Sequence, residues 1–119
     1  FSMKEIDDEG EFYWLLEGGD LLTLTNQDSK SIKGSLKFNF ILNPCGLNQK
    51  IVVGNKDRKI IVELSNINPN YEVKIDFDLD PFTSSYHFIN SFEGDSCIPN
   101  NGDERKLIAQ IRDLKIEIN

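Results

Sequence analysis

Along residues 71–80 apolar and charged side chains alternate without a break: Tyr71, Val73, Ile75, Phe77 and Leu79 interleave with Glu72, Lys74, Asp76, Asp78 and Asp80, and Pro81 follows. That period of two predicts a half-buried strand ended by the proline. Leu36, Phe38, Phe40 and Leu42 alternate in the same way from Gly34 onward, up to the turn Asn43-Pro44-Cys45-Gly46. Shorter apolar runs at 12–16, 21–25, 50–53, 59–64 and 86–92 read as further strands. The first two flank a turn at Gly18-Gly19, and the 50–53 and 59–64 runs form a hairpin about a glycine-led turn at Gly54.

The closing stretch, 107–118, supports two periods. Leu107, Ile111, Leu114 and Ile118 fit one face of a helix, whereas Leu114, Ile116 and Ile118 alternate strictly with Lys115, Glu117 and Asn119. The alternation and the frequency of Ile favour a strand. Its phase slips between Ile111 and Leu114, so a β-bulge near Arg112-Asp113 is expected to keep one face buried. Eight or so strands without a convincing helix predict an all-β chain, a single antiparallel β-sandwich of jelly-roll or carbohydrate-binding-module-like architecture. The expected core holds Trp14, Leu22, Leu36, Phe38, Phe40, Val52, Ile61, Val73, Ile75, Phe77, Ile111 and Ile116.

At 119 residues the chain suits one domain. Residues 1–10 read as a solvated acidic segment, with Phe1-Ser2-Met3 compatible with a cloning remnant, and residues 11–119 as the sandwich. No apolar run approaches the roughly 18 residues of a membrane helix, so direct membrane insertion is not expected. The formal charge of −7 argues against nucleic acid, whose phosphates it would repel. Cys45 and Cys97 lie in turn-like surroundings; a disulfide between them and two unrelated thiols are both open from spacing alone.

Chemistry is less legible. His87 is the only histidine and no nucleophile motif surrounds it, so no catalytic residues are assigned and the chain reads as a non-enzyme. Asp76, Asp78 and Asp80 share one strand face at steps of about 7 Å, which suits calcium only if other loops complete the site. The ordinary alternative is an exposed acidic face, and no other cofactor is expected. Sugars stack on aromatic faces while planar polar groups bond their hydroxyls, which makes Tyr86, Asn90, Trp14, Asp76 and Asp78 the candidate ligand-binding residues. For Trp14, burial in the core is the stronger reading.

Trp14, Gly19, Leu22 and Leu24, with Pro99, Asp103, Arg105, Leu107, Ile111, Leu114 and Ile116, form a pattern that resembles small β-sandwich modules. Such modules are appended to bacterial glycosyltransferases and phosphoglycerol transferases of cell-surface polysaccharide synthesis. The resemblance implies a non-catalytic accessory module of a glycan-handling protein that binds carbohydrate; the alternative is a domain that packs on its parent enzyme or on a partner subunit. A cell-surface or extracytoplasmic setting is slightly favoured over an internal one. Asp103 and Arg105 share a face in extended chain, and Arg105 is expected to latch the 93–104 loop through loop carbonyls or Asp103.

Overall fold

The computed structural model describes residues 5–8, 10–99 and 105–119, and these form β1 (Glu5–Asp7), β2 (Gly10–Leu16), β3 (Asp20–Thr25), β4 (Ile32–Leu42), β5 (Gln49–Gly54), β6 (Lys59–Leu64), β7 (Asn70–Leu79), β8 (Ser84–Glu93) and β9 (Leu107–Ile118). Two antiparallel sheets result, ordered β1-β2-β9-β4-β7 and β3-β8-β5-β6. Apart from the β1–β2 and β5–β6 hairpins, every link crosses from one sheet to the other. With β1 as an extra edge strand, this is the jelly-roll form of a β-sandwich. Among the described residues no helix is long and apolar enough to cross a membrane.

The sheets meet over a core in which Phe38 and Phe40 of β4, Ile51 and Val53 of β5, Ile89 of β8 and Ile111 of β9 are almost fully buried. Excluding water from each such side chain stabilises the fold by roughly 1.5–3 kcal/mol. The alternation along β4 and β7 translates directly into a register of Leu36 with Ile75 and Phe38 with Val73. On β5 and β6 the expected phase is wrong. Ile61 is 56% exposed and Val52 only part-buried, while Ile51, Val53, Val62 and Leu64 face the core. Both runs are continuously apolar, so their phase is set by pairing in the hairpin, where Val52 opposes Ile61, and not by any local pattern.

β2 and β3 are not paired with each other; the Gly18-Gly19 turn carries the chain between sheets. At Gly19, with φ +77°, a Cβ would lie 1.7 Å from Asn90 Oδ1, so no side chain fits between the turn and β8.

Within the acidic N-terminal segment, Glu5–Asp7 form a strand of the sandwich. β1 pairs with β2, and two arginines hold its carboxylates: Arg105 bonds Glu5 with both terminal nitrogens (3.2 and 3.3 Å), and Arg112 bonds Asp7 in the same two-pronged fashion. Arg112 is itself buried, bonded to Gln110 and stacked 4.5 Å above the Phe12 ring. Arg105 therefore ties β1 to the start of β9; Asp103, the other residue of the expected latch, lies outside the described residues.

β9 is a strand throughout, and the bulge is present. Asp113 has φ +56°, and the register against β4 shifts between Lys37 and Asn39 opposite it. Ile116 thereby falls on the same side as Leu36, yet it remains 56% exposed, on a stretch of β9 that lies at the edge of the sheet once the pairing with β2 has ended at Arg112.

Cys45 and Cys97 form a disulfide with their Cα atoms 5.7 Å apart. Closing a loop of 52 residues' separation stabilises by about 4 kcal/mol in the chain-entropy account. Cys97 also exchanges two backbone hydrogen bonds with Leu107 (both 2.7 Å), fixing the 94–99 segment beside the start of β9.

Candidate functional site

β8 runs through the middle of the β3-β8-β5-β6 sheet, and its side chains divide by parity. Ser85, His87 and Ile89 point inward; Ser84, Tyr86, Phe88 and Asn90 point outward. Register places the neighbours of this outward stripe. Thr23 and Leu21 of β3 sit beside Tyr86 and Phe88, Gly54 of β5 beside Phe88, Val52 beside Asn90, and Ile61 of β6 beside Val52. Tyr86 is 57% exposed, and Leu21 and Ile61 are exposed to a similar degree. Lys59 holds its ammonium 5.9 Å from the centre of the Phe88 ring. The outer face of this sheet is thus a flat aromatic and aliphatic surface edged by Thr23, Asn90 and Lys59.

Two of the expected binding residues, Tyr86 and Asn90, come together here, four positions apart on one strand face. The others do not join them. Trp14 is buried, 7% exposed and edge-on to Phe12 (5.5 Å between ring centres). It belongs to a second, smaller core with Phe12, Cys97 and Leu107 on the face of β2 opposite the main core, so its ring offers no stacking surface. The disulfide-linked segment and the β1–β2 region make that burial possible, and neither is visible in local spacing.

Asp76 and Asp78 lie on β7, in the other sheet, against Lys74 and Lys33 (each 3.7 Å). With Asp80 they stay strung along one exposed strand edge, and among the described residues no group of three His, Cys, Asp or Glu side chains is placed to hold a metal ion. Asp76 and Asp78 instead rim a cleft of about 980 Å³ between the free edges of β6 and β7, whose other lining includes Val53, Ile60, Phe77, Arg58 and His87.

His87 faces the core from the strand that displays Tyr86 and Phe88 on its other side. Burial lowers its pKa below the ordinary 6.5, because the charged imidazolium loses hydration there. Its Nδ1 and the Ser85 Oγ are both buried without a hydrogen-bond partner, so the two residues do not form a bonded Ser–His pair.

Phe88, Leu21, Val52 and Ile61 complete this outer face; Val52 and Ile61 are residues expected in the core, and Phe88 and Leu21 carry no binding role in the sequence reading. Parity along β8 alone identifies Phe88 as a companion of Tyr86; the other three need the pairing of β3, β5 and β6. No protein-family model matches this chain, and neither curated proteins nor solved structures provide a match.

Proposed function

We propose that this chain is a non-catalytic carbohydrate-binding module, an accessory domain of a glycan-handling protein, with its ligand lying across the outer face of the β3-β8-β5-β6 sheet. The observation that carries this reading is the outward pairing of Tyr86 and Phe88, two positions apart and so about 7 Å along the strand. That spacing gives two aromatic platforms to successive parts of an extended ligand. Sugar C–H faces stack on such rings, while Thr23, Asn90 and Lys59 supply hydrogen-bonding groups at the rim for hydroxyls. A flat face buries little of its ligand, so binding is weak. The net charge of −7 favours neutral or amino-sugar glycans over anionic ones. The Cys45–Cys97 disulfide fits an oxidising, extracytoplasmic setting.

The test is calorimetric titration of the domain with neutral, amino-sugar and uronic oligosaccharides, with and without calcium. Saturable binding to neutral or amino-sugar ligands, lost in Tyr86→Ala while the circular dichroism spectrum is retained, is the expected result. Binding indifferent to Tyr86→Ala, or no binding to any glycan, overturns the reading.

A further inference from the structure

The second half of β9 has a free edge. Pairing with β2 ends at Phe12 and Arg112, so among the described residues nothing pairs with that side of residues 113–118, while β4 covers the other side. Asn119 N–H donates to the Lys33 carbonyl (2.9 Å). Backbone groups alternate between the two edges of a strand, so those of Lys115 and Glu117 face β4, and those of Leu114, Ile116 and Ile118 face outward from the sheet. The same three residues leave their side chains 38%, 56% and 58% exposed. Exposed strand edges are ordinarily blunted by proline, a bulge, an inward-pointing charge or charged side chains such as Lys. Beyond the Asp113 bulge, residues 114–118 carry no proline, bulge or inward-pointing charge, and their two charges, Lys115 and Glu117, are of opposite sign.

We propose that this edge pairs with the same edge of a second copy of this chain, antiparallel about a two-fold axis at Ile116. The sequence of the strand is self-complementary in that arrangement. Ile116 faces Ile116 of the other copy as a hydrogen-bonded pair, and Leu114 faces Ile118 on either side of it, so six backbone hydrogen bonds form and the exposed aliphatics cover one another. Lys115 meets Glu117 at the two intervening positions. Those are non-hydrogen-bonded pairs, where cross-strand side chains stand closest and opposite charges attract. Within one chain Lys115 and Glu117 are well exposed and 3.8 Å apart, and Glu117 is also 3.3 Å from Lys37, so both charges are already held on the outer side of the sheet. A strand with two like charges at 115 and 117 would repel its own copy in this register; the one present attracts it. The product is a sheet continuous across the two copies, made by the sheet that does not carry Tyr86, so the inference stands independently of the glycan reading.

Charge complementation tests it. Sedimentation velocity over a concentration series at low ionic strength is expected to show a monomer–dimer equilibrium for the unaltered chain. Lys115→Glu leaves two acids on the strand and Glu117→Lys leaves two lysines. Each alone is expected to raise the dimer dissociation constant about tenfold or more through like-charge contacts. An equimolar mixture of the two variants restores every opposite-charge pair and is expected to dimerise as the unaltered chain does. Circular dichroism confirms that each variant is folded. A chain that stays monomeric at all concentrations overturns the proposal and leaves the edge to a strand of a different protein. Dimerisation unaffected by the single variants, or not recovered in the mixture, overturns it as well, by placing the contact elsewhere.

Discussion

The two outer faces of the sandwich are built from the same kind of strand and treated in opposite ways. On the β1-β2-β9-β4-β7 sheet the outward positions are charged and partnered: Lys33 with Asp78, Lys37 with Glu117, Lys74 with Asp76, and Asn39 donating to Asp113 at 2.8 Å. Where that sheet does turn large apolar residues outward, at Phe12 and Trp14, they are covered to 7% exposure. On the β3-β8-β5-β6 sheet Leu21, Tyr86 and Ile61 stay more than half exposed, and no segment among the described residues covers them. Exposed ion pairs contribute little to stability, so the charged face is better understood as a hydrated surface than as a brace. Contiguous apolar exposure works against solubility and brings the fold no burial in return, and such patches mark places where something else binds. The contrast separates residues the fold uses from residues it merely carries.

The largest effect is expected at Arg112, an outward-facing charge that is buried. Arg112 bonds Asp7 and Gln110 and stacks on Phe12, and so joins β1, β2 and β9. Arg112→Ala is expected to destabilise by about 2–3 kcal/mol, below the usual figure for a broken buried pair because Asp7 keeps access to water. A urea midpoint that stays in place would mean the covered end of this sheet is no more structural than its exposed ion pairs.

The matching test on the bare face predicts very little change in stability. Ile61→Thr and Tyr86→Ser each remove an exposed apolar group and retain strand preference or a hydroxyl, so each should alter stability by no more than about 0.5 kcal/mol. A loss well beyond that, measured by the same denaturation, would make the face part of the fold and remove the argument that it serves a ligand.

How much of this could be read from the chain depends on where the information is stored. β4 and β7 announce their inward faces because every second residue is polar, and the β9 bulge is legible as a slip in that same period. The phase of β5 and β6 is not legible, since in Ile51-Val52-Val53 and Ile60-Ile61-Val62 every position is apolar and only the partner strand decides which one faces out. Ile116 has the pattern of a core residue, and its exposure goes with its place on the part of β9 that β2 no longer flanks, a property of no single segment. For the candidate site, Tyr86 and Asn90 share parity on one strand and were legible together. Leu21 and Val52 join them only through the β3–β8 and β5–β8 pairings, which are distant in sequence, Ile61 follows through the β5–β6 hairpin, and Trp14 is withdrawn by a disulfide-linked segment more than eighty residues away.

The smallest effect expected belongs to His87, on the inner side of the strand whose outer side carries Tyr86 and Phe88. Burial depresses its folded pKa below the unfolded value of 6.5, so above that pH the imidazole is neutral in both states and folding carries no penalty from it. As the pH falls below about 6.5, the unfolded chain takes up a proton that the folded chain does not. Stability therefore declines until the folded pKa is passed, where the loss is complete. The charged groups lining the same cleft, Asp57, Asp76 and Asp78 against Arg58, Lys59 and Lys74, are of both signs, which leaves desolvation as the cause. Comparing the fall in urea midpoint from pH 7.5 to pH 5.5 in the unaltered chain and in His87→Leu isolates this contribution from the carboxylates, which both proteins share. A shallower fall in His87→Leu is expected. Equal falls would mean that the imidazole is hydrated when charged, and that the interior beneath the bare face is open to water through the β6–β7 cleft.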